Sequence, residues 1–332
     1  MRVESDLLGR REVPADALYG IHTLRAIEGF SGRILANYPD YVRALATVKK
    51  AAARANRDAH VIDARRHDAI ERACDALIRG EHLAEFPVDM LTGGGSIAVN
   101  MNLNEVVANL ANEYLGVAPG SYKPVHPKHH VNASQSTADV CHTAIRMTVL
   151  ERWHGLKRAL EKCVAALKAK AVELRPVITT ARTCLQDASR VSLGELFGGH
   201  AEAIARRTGD LDQAVRALTR IDLGGTAIGS GSGAPAIYRR AVIRHLNQIA
   251  GLKLTLRRNL YDAAQHIDDL AAVSAQLGLL AEVLIKVAQD LRLLASGPEG
   301  GFGEIILPAV QEGSSMFPGK VNPVVPETVI QC

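Results

Sequence analysis

From Thr137 to Leu174 apolar side chains recur at Ala144, Met147, Leu150, Trp153, Leu156, Leu160, Val164 and Leu167, before Pro176 stops the pattern. This three-and-four spacing predicts one helix of about ten turns. A helix that long needs partners for its apolar stripe, and the chain supplies them: similar patterns run over 193–219 and 260–294, with a shorter one over 236–250. Long helices in succession argue for a bundle. Before Val131 the character is different, with moderate helices and short extended pieces punctuated by Pro14, Pro39, Pro87, Pro119, Pro124 and Pro127. The expected fold is mainly α: a smaller mixed N-terminal domain over 1–131, then a long-helix bundle over 132–332.

Charge and composition remove several classes of function. Of 332 residues, 22% are charged and the formal net charge is +4, so no basic stripe points to nucleic acid, and an aromatic content of 4% gives little for base stacking. The longest apolar runs, such as 277–284, are interrupted by Gly278 and Glu282, so no membrane segment is expected. The N-terminus has no apolar core behind a basic start, which leaves a cytoplasmic location as the expectation. Five widely spaced cysteines, with no CxxC pair, suggest free thiols. His126, His129 and His130 cluster, but Lys123 and Lys128 beside them would repel a cation, which favours a solvated loop over a metal site. The glycine-rich stretch over 223–233 lacks the GK[ST] ending of a phosphate loop and reads as an inter-helix connection.

The densest chemistry lies in Gly313-Ser314-Ser315-Met316-Phe317-Pro318-Gly319-Lys320-Val321-Asn322-Pro323. Two hydroxyls, an ammonium and an amide in a Gly/Pro frame suit a small anion such as a dicarboxylate, though a solvated turn uses the same residues. Three further segments bear on the choice: Gly93-Gly94-Gly95-Ser96 with Asn100-Met101-Asn102-Leu103-Asn104-Glu105, then Asn132-Ala133-Ser134-Gln135-Ser136-Thr137, then Arg182-Thr183-Cys184-Leu185-Gln186-Asp187. Together with the 313–323 run they resemble the aspartase/fumarase superfamily over the whole chain. Tyr19-Gly20-Ile21-His22-Thr23-Leu24-Arg25-Ala26 and Asn322-Pro323-Val324-Val325-Pro326-Glu327 are similar to the aspartate ammonia-lyases within it rather than to the fumarases.

The resemblance implies a tetrameric helical bundle with each active site built from segments of three subunits, acting on a small dicarboxylate without a cofactor. It implies removal of a proton beside a carboxylate, a dianionic aci-carboxylate, and departure of ammonia or water to leave fumarate. Ser314 is then the general base. Ser136 and Thr137, aided by Ser315, hold one substrate carboxylate, and Thr183, Lys320 and Asn322 hold the other. For Thr183 a helix-capping role is the alternative.

The departures fall where the family holds the leaving amino group. Ile97 stands in place of a threonine, Ala138 in place of an asparagine and Cys184 in place of histidine or glutamine. Each missing partner for a buried ammonium costs roughly 1 to 3 kcal/mol. Beside an aspartate ammonia-lyase-like activity two alternatives therefore stand: a lyase acting on another 2-substituted succinate, for example nitrosuccinate, and a non-catalytic dicarboxylate-binding paralogue. Glu299 stands where relatives carry a basic residue. Relatives continue past the position of Cys332 with another long helix and a small domain, so the bundle is expected to be incomplete as given.

Overall fold

The computed structural model describes residues 1–30 and 32–332. In chain order it contains β1 (Arg2–Asp6), β2 (Gly9–Val13), α1 (Ile21–Gly29), α2 (Pro39–Asp58), α3 (Ala64–Ile78), α4 (Ile97–Tyr114) and α5 (Thr137–Glu173). There follow β3 (Ile178–Thr183), β4 (Gln186–Ser192), α6 (Leu193–Ala217), β5 (Arg220–Ile221) and α7 (Ala236–Ala250). The last elements are β6 (Thr255–Leu256), α8 (Leu260–Gln265), α9 (Asp268–Leu294) and α10 (Val324–Gln331). The fold is mainly helical, as the apolar periodicity predicts. Two compact units emerge, one of residues 1–151 and 217–268, the other of 152–216 and 269–332. The expected 131/132 boundary lies within the first unit, just ahead of α5, so the first turns of the long helix belong with the N-terminal residues.

In the first unit α2 packs against α3 and α7, and α4 packs against α1 and α3. Ala44, Ala46, Ala51, Ala52, Ala53 and Ala55 of α2 are all buried, and such small side chains let neighbouring backbones come close. Pro39 starts α2, where its missing N–H costs nothing, and Asp63 caps α3 by accepting from Arg66 N at 2.8 Å.

A line of buried polar side chains on α4 organises the loops around it. Asn102 donates to Glu85 O at 2.9 Å. Asn109 donates to Leu18 O at 2.7 Å and accepts from Gly120 N at 2.8 Å. Asn112 does the same with Val125, donating to its carbonyl and accepting from its amide at 2.9 Å each. Glu105 caps α1: its carboxylate accepts from Gly20 N and His22 N at 2.9 Å, Thr23 N at 3.1 Å and Thr23 Oγ1 at 2.7 Å. Glu4 accepts from Ile21 N at 2.9 Å and from the Tyr122 hydroxyl at 3.0 Å. Two carboxylates thus meet the open amides of one helix N-terminus, where backbone donors and dipole both favour negative charge. Burial still pushes the Glu105 carboxyl upward, opposed by the hydrogen bonds from Thr23, His22 and Gly20. A Cβ at position 20 would sit 2.0 Å from the Tyr122 hydroxyl, so any larger residue there would push Tyr122 and the two carboxylates aside.

The second unit holds the remainder of α5, the antiparallel β3–β4 hairpin, most of α6 and nearly all of α9. Trp153 Nε1 and Lys157 Nζ of α5 both donate to Asp212 of α6, at 2.7 and 3.1 Å. The pattern over 260–294 is split into α8 and α9 at His266 and Ile267, because Asn259 caps a short first helix and Asp268–Asp269 start a new one. Asp269 accepts from Leu270 N at 2.8 Å, as an acidic residue at a helix start should. Helix α9 is long and apolar enough, by length and composition, to cross a membrane: one 18-residue window has mean hydropathy 1.7, with only 17% of it buried. Counting unbroken apolar runs passes over this helix, since Glu282 and Gly278 interrupt the runs while leaving the average high. Leu277, Leu279 and Leu293 are exposed along it.

Replacing Glu105 by glutamine presents an NH2 group to amides that need an acceptor. The Glu105→Gln variant should lose about 2–4 kcal/mol of stability. Urea unfolding checks this as a lowered midpoint at unchanged slope. An unshifted midpoint contradicts the capping role.

Candidate active site

The 313–323 run folds back on itself. Gly313 N donates to Lys320 O at 2.8 Å, and Asn322 Nδ2 donates to Gly313 O at 3.0 Å, so the base of the loop is pinned. A Cβ on residue 313 would lie 2.8 Å from Asn322 N and Lys320 O, which makes glycine obligatory. Inside the loop Ser314 Oγ accepts from Met316 N at 3.1 Å and Phe317 N at 3.0 Å. Two amides aimed at one hydroxyl oxygen favour its deprotonated form. Ser314 and Asn322 are half-buried, whereas Ser315 and Lys320 are exposed. Lys320 has no ion-pair partner among the described residues, and one amide hydrogen of Asn322 is already used by Gly313.

Ser136 and Thr137 stand at the start of α5, in the first unit. Ser136 N donates to Asp139 Oδ1 at 2.9 Å while Ser136 Oγ lies 3.4 Å from Ala138 N, the reciprocal arrangement of a capping box. The second carboxylate oxygen of Asp139 accepts from Gly224 N and Thr226 N at 3.0 Å each. The glycine-rich 223–233 stretch is therefore a turn fastened to the start of α5. Burial raises Asp139 to about 6 against the pull of these amides, with Asp222 adding to the rise.

Beneath Thr137 lies a layer that sequence inspection passes over. Lys49, fully buried on α2, donates to Asn132 Oδ1 at 2.9 Å and Gln135 Oε1 at 3.0 Å. Asn100 Nδ2 lies 3.1 Å from Asn132 Oδ1 and 3.0 Å from Thr137 Oγ1. Burial draws the Lys49 ammonium down to about 7, partly offset by Cys141 and Asp139. The available signal was a lysine within an alanine-rich helix and a run of asparagines at 100, 102 and 104, both odd in a buried helix.

Of the three positions facing the expected amino group, Ile97 is the first residue of α4 and is 48% exposed, and Ala138 is half-buried on the first turn of α5. Cys184 is exposed at the tip of the β3–β4 hairpin, with φ of 51° followed by Leu185 at 60°. Thr183 is the last residue of β3, paired with Gln186, and caps no helix. Glu299 is exposed. A cavity of about 670 Å³ in the second unit is lined partly by Cys184 and Leu185. Its cations are already matched, Arg182 with Glu304 at 2.5 Å and Lys286 with Asp290, and Glu195 adds a further carboxylate to the lining. It is no anion site. Among the described residues no three His, Cys, Asp or Glu side chains gather to hold a metal.

Of the three clustered histidines, His129 and His130 lie on a π turn, Pro127–Val131, which leads into Asn132, and His126 caps its start. His126 Nδ1 accepts from Lys128 N and His129 N at 3.1 and 3.3 Å, and His130 Nδ1 accepts from His126 N at 2.8 Å. Burial pushes the His126 and His130 rings down from the usual imidazole range, in keeping with their roles as acceptors.

Comparison with known proteins gives consistent matches. A family model described as a lyase matches residues 9–332. An aspartate ammonia-lyase of Pseudomonas aeruginosa is 45% identical over 336 residues, covering 99% of this chain and 70% of the relative. One from Escherichia coli is 40% identical over 334 residues, covering 100% and 70%. Among solved structures, a fumarate lyase:delta crystallin from Brucella melitensis bound to cobalt superposes with TM-score 0.95 at 45% identity, over 99% of this chain and 72% of the other. A class II fumarase from Schistosoma mansoni superposes with TM-score 0.93 at 29% identity, over 99% and 73%.

Burial, with the neighbouring His129, His130 and Lys128, holds His126 down to about 4 from 6.5. A depressed histidine contributes stability that is present above its unfolded value near 6.5 and lost as pH falls through about 4. Melting temperature should therefore drop more steeply between pH 6.5 and 4 in the wild type than in His126→Asn, which keeps an acceptor but does not titrate. Superimposable profiles contradict this.

Proposed function

The chain belongs to the lyase family, within the aspartase/fumarase superfamily, and from that premise we propose that it carries out an aspartate ammonia-lyase-like elimination giving fumarate. It is a carbon–nitrogen lyase by kinship with the aspartate ammonia-lyases. The observation that carries the chemical reading is Ser314 Oγ, held under two backbone amides within the pinned loop. As an alkoxide it takes the proton from the carbon next to the substrate carboxylate. The electron pair left behind spreads onto that carboxylate as an aci-dianion, then returns to form the double bond while the substituent on the neighbouring carbon departs.

Developing charge on the carboxylate needs donors placed before the reaction. Lys320, unpaired and exposed, supplies the charge; Thr183 and the remaining Asn322 amide hydrogen supply direction. Ser136 and Thr137, with Ser315, take the other carboxylate. We place these groups in one site through assembly, with segments from three subunits of a homotetramer. The exposed apolar side of α9 supports that reading, since Leu277, Leu279 and Leu293 need a cover that a helical bundle of several chains provides. No cofactor enters this scheme. The proposed location is the cytoplasm.

A second reading concerns the leaving group. Ile97, Ala138 and Cys184 offer no strong donor or acceptor where an amino group would sit, and the Ile97 side chain is nearly half exposed at the start of α4. A less hydrated substituent, such as nitro leaving as nitrite, suits that pocket better than ammonium.

Fumarate formation, followed by ultraviolet absorbance with L-aspartate and then nitrosuccinate, separates the readings. Turnover of aspartate at rates typical of its relatives excludes the altered pocket. Ser314→Ala should lower kcat by ~10²–10⁴-fold on whichever substrate is used. Tight fumarate binding without turnover, indifferent to Ser314→Ala, marks a non-catalytic dicarboxylate-binding paralogue.

A further inference from the structure

We propose that Asn100 is a positioning residue that makes Thr137 an obligate hydrogen-bond donor, its hydroxyl proton reserved for the substrate carboxylate. This rests on the carboxylate-binding role proposed for Thr137.

The orientation of each amide follows from its surroundings. Asn132 Nδ2 lies 3.3 Å from Gln135 O, a carbonyl that only accepts, so this end of Asn132 is the nitrogen. Its other end is the oxygen, which receives Lys49 Nζ at 2.9 Å and Asn104 Nδ2 at 3.3 Å. Gln135 is fixed by the same logic: its Nε2 meets Val131 O and Ala133 O at 2.9 Å, leaving Oε1 for Lys49. The Asn100 group 3.1 Å from Asn132 Oδ1 must then be its NH2. That same NH2 lies 3.0 Å from Thr137 Oγ1, so the threonine oxygen accepts. The hydroxyl proton must point elsewhere.

Asn100 accepts a cost to keep this direction. Its Oδ1 is buried with no partner, so the amide is not turned to satisfy itself. Lys49, on a different helix, faces the oxygens of both amides that set the direction. Lys49 and Asn100 thus both donate to Asn132 Oδ1, and Asn100 also donates to Thr137 Oγ1, which leaves the threonine proton free to be given. A carboxylate is the ligand that such an end selects, because it only accepts when ionised. A neutral hydroxyl or amide could equally have used an acceptor at Thr137 and gains less.

The test exchanges the donor for an acceptor of the same shape. In Asn100→Asp the carboxylate captures the Thr137 proton, and KM for the turned-over succinate derivative should rise by roughly tenfold to a hundredfold, with a smaller change in kcat. Thr137→Val should raise KM similarly in the wild type but add little in the Asn100→Asp background. Asn100→Ala, which buries no charge, frees the hydroxyl to turn and should raise KM by less than Asn100→Asp. A merely structural Asn100 would lower melting temperature yet leave the Thr137→Val effect additive, and that result overturns the proposal. Wild-type turnover with an unchanged KM in both Asn100 variants sinks this role alone. If the wild type neither turns over any 2-substituted succinate nor binds succinate by calorimetry, the proposed function falls and the role of Asn100 with it.

Discussion

The buried amides and single carboxylate of α4 are the constraint on which the first unit depends. An unpaired buried amide costs about 1–3 kcal/mol, so each of these side chains is safe only if a particular stretch of backbone comes to meet it. Leu18 with the start of α1, Glu85, and Gly120 with Val125 are those stretches, three segments far apart in sequence. Apolar packing alone would bury α4 without fixing which loop lies where. The polar line fixes it, because Glu105, Asn109 and Asn112 each find their partners in one particular stretch of backbone.

The same material changes use along the helix. At Asn102 and from Glu105 to Asn112 it holds other segments, while Asn100 and Asn104 reach Asn132 and Thr137 beside the proposed carboxylate site. Position on one rigid helix therefore separates framework from chemistry. The second unit treats charge in another way. Around its cavity Arg182 and Lys286 are spent on local carboxylates, while Lys320 is left without one among the described residues. A cation kept out of ion pairs is the one that can attract a dianion.

Much of this could be read from the chain, and the exceptions have physical causes. Helix α5 was legible because its stripe contrasts apolar with polar residues over many turns, and α7 falls on the residues that its pattern predicts. Helix α4 was far less visible: buried from Val99 to Asn112, it shows little contrast between faces, and asparagines stand among its apolar residues. The β3–β4 hairpin was hidden because Cys184 and Leu185 occupy left-handed positions that glycine or asparagine would normally announce. Ser314 and Lys320 stood out since their loop is dense in chemistry. Lys49 and Asn100 did not, because their meaning comes from neighbours 83 and 37 positions away.

The pinned base of the 313–323 loop also bears on timing. Gly313, Lys320 and Asn322 are tied into one ring, so Ser314 and Lys320 are held in a fixed relation to each other. In the proposed reaction the base and the cation that attracts the substrate arrive together, and neither can be delivered without the other. Substrate capture and placement of the base then become a single event.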